Sequence, residues 1–270
     1  MKKFFYFLFI LGIISCANSD DILENQQVLQ DLEPNKAFVN YMEFPKLALL
    51  YPSWYYTFNY QNGNLTKMTG KLVNGGTLSS PDIFYPDSFI SLSYNNNQVE
   101  VKDSESPYTK TVYTMENSRP KKSEYYQYYV DIGEQLEITK TYMYEANTIA
   151  VYENFYNGNK EIYTTYFFDS NKNLIKSEKL EKTYGVNNRL KITNYSDFDN
   201  AKNPFKKMFL INDNLYEKSL SANNFRAIES IIQYLPNPLN GNVQLPPGKE
   251  SANWTYQYDS NGQVLLYHPL

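Results

Sequence analysis

One phrase recurs along the chain and limits what it can fold into: FNYQNGNLTKM (58–68), LSYNNNQVEV (92–101), NFYNGNKEIY (154–163), YFFDSNKNLIK (166–176) and YQYDSNGQVLL (256–266). Each copy sets aromatic residues before a group of turn formers, and follows it with a polar residue and an apolar run. Asn62-Gly63 and Asn157-Gly158 suit the positive φ angles of a two-residue type I′ turn, whose twist matches the strands it joins. In Asp259-Ser260-Asn261-Gly262 the aspartate is expected to bond the backbone two residues on, with Gly262 in the left-handed position. Lys172 stands where that glycine would be in the 169–173 copy, so its left-handed position is expected to shift to Asn171 or Asn173, or the turn to bear strain.

The strands between these turns are aromatic. The chain has 270 residues with 27 Tyr and 16 Phe, types that favour a half-buried pleated surface. Ile162, Thr164, Tyr166 and Phe168 share one face, as do Trp254, Tyr256 and Tyr258. The hairpins are spaced too irregularly for a fixed-period solenoid. The predicted fold is all-β: an antiparallel meander of hairpins forming one long, twisted or curved sheet over residues 37–270, a single domain. Residues 219–234 have Ile228, Ile231 and Ile232 at helical spacing but read nearly as well as a strand. Residues 235–248 read as a Pro/Gly/Asn loop.

The N-terminus is an address. Two lysines precede an apolar run from Phe4 to Ile14, too short for the roughly 20 residues that span a bilayer, and a signal peptide over residues 1–15 fits it. Ile13-Ile14-Ser15-Cys16 resembles a bacterial lipobox, in which the cysteine is acylated and becomes the first residue of the mature chain. Cys16 is the only cysteine, and the resemblance makes it a membrane anchor. Residues 16–36 then form a tether or short helix. Asp20-Asp21 resembles the signal that exports Bacteroidota lipoproteins to the outer face of the outer membrane.

Counting excludes several functions. One Cys and one His leave no disulfide framework, no Cys/His zinc site and no Cys–His nucleophile pair. The formal charge of −4, from 25 basic and 29 acidic residues, gives no basic stripe for nucleic acid. Asp169-Ser-Asn171-Lys-Asn173 opens like a calcium loop but has Leu174 and Leu180 where glycine and glutamate are needed. Asp197 and Asp199 form a candidate carboxylate pair that turn chemistry explains as well. His268 reads as a surface residue, a poor base for a Ser-His-Asp triad.

Tyr256-Gln-Tyr258-Asp259-Ser-Asn-Gly262-Gln-Val264 resembles a YD-type repeat unit, and the segment from Tyr195 through Asp199 and Asn203-Pro204-Phe205 resembles a second element. With the lipobox, these are similar to a group of Bacteroidota surface lipoproteins built from YD-like hairpins. The resemblance implies fold and location; it carries no catalytic residues. The copies lack the regular Arg-Tyr-Asp-Gly core of toxin-type YD proteins.

The expected function is therefore non-catalytic, with no cofactor and no metal: a lipid-anchored outer-membrane binding module for a glycan, a peptide or an envelope protein. Trp54, Tyr56, Tyr126, Tyr128 and Trp254 are its candidate ligand-binding residues, as flat platforms for sugar rings. Packing across strands is the competing explanation for these rings. Two other readings predict different surfaces: a structural or adhesive protein would present a mostly polar face, and a carbohydrate-active enzyme a deep pocket with converging carboxylates.

Overall fold

The computed structural model describes residues 31–43, 53–73, 82–236, 238, 241 and 245–268, and these belong to one compact unit that begins at Asp31. The expected leader, Cys16 and most of the tether lie outside the described residues. The elements are β1 (Lys36–Phe38), α1 (Val39–Met42), β2 (Tyr55–Gln61), β3 (Asn64–Val73), β4 (Ile83–Asn95), β5 (Gln98–Asp103), β6 (Thr109–Glu116), β7 (Arg119–Tyr129) and β8 (Gly133–Tyr144). They continue with β9 (Thr148–Phe155), β10 (Lys160–Phe168), β11 (Leu174–Thr183), β12 (Val186–Ser196), α2 (Asp213–Leu220), β13 (Ala227–Tyr234) and β14 (Gly248–Asn253). β1 to β14 pair each with the next in one sheet of 14 strands, antiparallel throughout and not closed. The expected meander is the observed fold. β15 (Gln257–Tyr258) and β16 (Val264–Leu265) make a separate small hairpin, and the Phe38 N–H donates to the Leu266 carbonyl beside β1 at 2.8 Å.

Local turn chemistry sets the connections. Asn62 and Gly63 both take positive φ, 50° and 77°, as a type I′ turn requires. Asn117-Ser118 and Tyr184-Gly185 do the same without the Asn-Gly signature. Asn157-Gly158 differs from expectation, because only Gly158 has positive φ; the connection there runs from Tyr156 to Asn159, longer than a two-residue turn. In the 169–173 turn Lys172 itself is left-handed at φ 64°, not Asn171 or Asn173. The reason is the Asp169 carboxylate, which accepts from the Asn171 and Asn173 amides at 2.9 and 2.8 Å. Asp259 binds Asn261 and Gln263 in the same way, at 2.8 and 2.9 Å, with Gly262 at φ 75°. The aspartate fixes the turn, and residue four takes the left-handed position whether glycine or not.

The strand reading holds for Ile228–Ile232, which lie in β13. A helix does form, but earlier: the Asn212 side chain caps α2 by accepting from the Leu215 amide at 2.9 Å. The 235–248 stretch joins β13 to β14, and part of it lies outside the described residues.

The long connection 197–226 packs on one face of the sheet, here called inner. Asp199 and Asn203 organise it. Asp199 accepts from the Ala201 amide, from the amide and side chain of Asn224, and from the Tyr258 hydroxyl, at 3.0 to 3.1 Å. Asn203 donates to the carbonyls of Lys218 and Ser221 at 2.7 and 2.8 Å and accepts from the Phe205 amide. These bonds turn the chain so that Phe205, Met208, Leu210 and Leu215 fill the space against β1 to β6, in a core with Phe58, Leu65 and Val99. A second, smaller core gathers Tyr142, Val151, Tyr166 and Tyr195 with Tyr216 and Phe225. Lys218 donates to the Tyr41 and Met42 carbonyls at 2.6 and 3.1 Å, where α1 ends. Burial pulls its ammonium down to about 7.

Candidate functional site

The five aromatic residues singled out from the sequence do not form one surface. Tyr56 is buried at 3% exposure and donates to the Glu43 carboxylate at 3.1 Å; burial and that carboxylate push its phenol up. Trp54 is half-buried and stacked on Phe84 at 5.9 Å. Trp254 meets Phe225 edge-on at 5.9 Å; residues 254–256 are outside any strand, so the predicted one-face alternation with Tyr256 and Tyr258 is not realised. For these three, the large apolar area of the ring is better satisfied in a core than in water. Tyr126 and Tyr128 do share the outer face of β7, where Lys110 lies over the Tyr126 ring at 5.3 Å and Tyr128 stacks on Tyr108 at 6.3 Å.

The other candidates are structural. Asp197, left-handed at φ 56°, pairs with Arg226 at 2.5 Å, while Asp199 accepts from the Tyr258 hydroxyl, which also interacts with Arg226. His268 is buried, against the surface reading: its ring packs edge-on to Phe38 at 5.1 Å beneath Tyr41.

What the sequence did not reveal is an asymmetry between the two ends of the sheet. In a meander of antiparallel neighbours the turns alternate ends. At one end lie β2–β3, β4–β5, β6–β7, β8–β9 and β10–β11, with tips rich in Asn: Asn62-Gly63, Asn96-Asn97, Asn117-Ser118, 145–147 and 169–173. The described chain also enters at this end, where the Phe58 amide donates to the Asn35 carbonyl at 2.9 Å. At the other end lie β5–β6, β7–β8, β9–β10 and β11–β12. Their tips carry the five most exposed large hydrophobic side chains of the described residues: Val130, Tyr156, Ile132, Tyr108 and Tyr184, from 87% down to 62%. Neighbouring hairpins stand about 10 Å apart, so the four tips make a continuous edge about 30 Å long. Isolated exposed hydrophobics are ordinary, whereas a row of them along one end is not.

A second feature lies under the sheet. One register line on the inner face runs Val99, Tyr113, Ser123, Lys140, Glu153, Ile162, passing from apolar to charged at β8. Beyond it, α2 stands off β8 to β13 and leaves a cavity of about 540 Å³. Carboxylates do converge there, but most are engaged. Lys140 pairs with Glu153 and Asp213 at 3.4 and 2.7 Å, and Lys191 with Glu250 at 3.0 Å. Burial raises the Glu217 carboxyl, which the Tyr195 hydroxyl and the charges of Lys191 and Lys179 partly offset. Among the described residues no group of three or more His, Cys, Asp or Glu is placed to hold a metal ion.

The outer face of the sheet is charged. Lys102–Glu100, Lys122–Glu124 and Lys176–Glu178 form ion pairs along single strands at 2.6, 2.7 and 3.0 Å, where a membrane-spanning barrel would show an apolar band. No helix of the described residues is long and apolar enough to cross a membrane.

No protein-family model and no curated protein matches the chain. Among solved structures it is similar to a porin-like protein from Bacteroides vulgatus ATCC 8482, with 12% identity and a TM-score of 0.47, over 77% of this chain and 87% of that one.

Proposed function

We propose that the protein is a lipid-anchored binding module of the outer membrane, displayed on the extracellular face, which holds a macromolecular partner and performs no chemistry. The partner is a glycan, a peptide or another envelope protein, and it docks on the aromatic and aliphatic hairpin tips. The observation that carries this reading is the confinement of the most exposed hydrophobic side chains to one end of the sheet. That end is opposite the entry of the described chain. Tyr is suited to such contacts because its ring buries apolar area while its hydroxyl stays wet. The charged outer face supports attachment by a lipid over spanning by strands.

Fractionation of cells expressing the native chain and Cys16→Ser tests the anchor. The native chain is expected in the membrane fraction and the variant in the soluble fraction; an unchanged distribution defeats the lipid anchor.

A further inference from the structure

The cavity beneath α2 is separate from the hairpin tips, and its chemistry is different. At about 540 Å³ it falls within the usual range for small-molecule sites, roughly 300–1,000 Å³. Its sheet wall offers short hydroxyls: Thr193 and Ser230 meet at 2.8 Å, and Ser177 meets the Tyr195 hydroxyl at 2.8 Å. These hydroxyls already bond in pairs, and each keeps acceptor capacity that a polar occupant can use and an apolar one cannot.

The most informative feature is a pair of like charges. Lys179 and Lys191 are direct cross-strand partners in the β11–β12 register, and both line the cavity. Like charges placed opposite one another destabilise a sheet. Lys191 has Glu250 as an ion-pair partner. Lys179 makes no direct hydrogen bond or ion pair among the described residues, and its charge is felt by Glu217, which also lines the cavity. An anion seated between the two ammonium groups removes their repulsion and gains charge-assisted hydrogen bonds. The rest of the lining limits how much negative charge enters. Three lysines (Lys140, Lys179, Lys191) face four carboxylates (Glu153, Asp213, Glu217, Glu250), so the lining as a whole is not basic: an anion gains only beside the Lys179–Lys191 pair, and a second negative charge on it meets the surrounding carboxylates.

We propose that this cavity binds a sugar acid, with its carboxylate between Lys179 and Lys191 and its hydroxyls on Ser177, Thr193, Ser230 and Glu217. The hydroxyls of such a ligand both donate and accept, which matches a wall that mixes Ser/Thr hydroxyls with a carboxyl group. The tyrosine rings at Tyr142 and Tyr166, which also line the cavity, supply flat apolar surface for a sugar face.

The test is calorimetric titration at pH 7 of residues 16–270 carrying Cys16→Ser, which include the whole described unit, with glucuronate, galacturonate, glucose and glucose 6-phosphate. At least one of the two sugar acids is expected to bind tenfold or more tighter than glucose, and glucose 6-phosphate weaker than that acid. Lys179→Met is expected to erase the preference for acid over glucose. Its unfolding midpoint without ligand should be equal or higher, because the opposed charge is gone. Equal binding of acid and neutral sugar, tighter binding of the phosphate, or no binding of either acid overturns the proposal. So does a preference that survives Lys179→Met. None of these outcomes bears on the hairpin-tip reading.

Discussion

The two ends of the sheet are made by the same turn chemistry and put to different use. At the end where the described chain enters, the hairpin connections run from two residues at 62–63 to five at 169–173, their tips are rich in Asn, and the long 197–226 segment folds back from there to fill the core. At the opposite end the connections carry Tyr108, Val130, Ile132, Tyr156 and Tyr184 out into solvent. A hairpin tip needs only the right φ angles, so nothing in folding requires an exposed Val or Ile there. One end thus joins its strands with tips rich in turn-forming residues, and the other carries large apolar side chains that the fold itself does not use.

The largest expected effect lies on the stability side. Leu215 of α2 is 1% exposed within the larger core, so Leu215→Ala should cost about 3 kcal/mol, read as a lowered midpoint in chemical denaturation. A cost below about 1 kcal/mol would mean that the 197–226 segment does not hold the sheet.

A smaller effect is expected from Lys218, which ties α2 to the end of α1. Its folded value is depressed to about 7 from the ordinary 10.5, so between those limits the unfolded chain binds more protons than the folded one. Stability from this group therefore rises with pH from about 7 upward, by about 1 kcal/mol per pH unit, and is flat below. Lys218→Met should remove that slope between pH 7.5 and pH 9.5 in urea denaturation; an unchanged slope would mean that Lys218 is not the group responsible.

How much of this was legible can be argued residue by residue. The meander was, because Asn62-Gly63 and Asp259-Ser-Asn-Gly262 act through neighbours only a few positions away. The left-handed Lys172 was half legible: the strain was foreseen, but its location follows from which amides Asp169 captures. α2 left a signal in Asn212 followed by Leu215 and Tyr216, a cap before paired apolar residues, and it was overshadowed by the isoleucines of β13. Trp54, Tyr56 and Trp254 could not be assigned from sequence, since whether a ring is exposed depends on what packs over it, and for them a distant segment does. Tyr128 was recognised, yet its companions at Tyr108, Tyr156 and Tyr184 belong to other hairpins and meet only through the strand order. The opposed Lys179 and Lys191 likewise need a register that no single strand reveals.

If the apolar tips hold the partner, matched substitutions at the two ends of the sheet must differ in their effect on binding. Val130→Ser with Ile132→Ser strips one hairpin tip at the apolar end. Met143→Ser with Ile175→Ser removes exposed side chains, 54% and 39% accessible, near the Asn-rich end. Surface changes of this kind shift stability by about 0.5 kcal/mol or less, so both variants should unfold with nearly native midpoints. In a binding curve of the soluble Cys16→Ser chain on isolated cell envelopes, the first variant is expected to lose at least tenfold in affinity and the second to bind as the parent does. Equal binding by the parent and both variants would contradict the account.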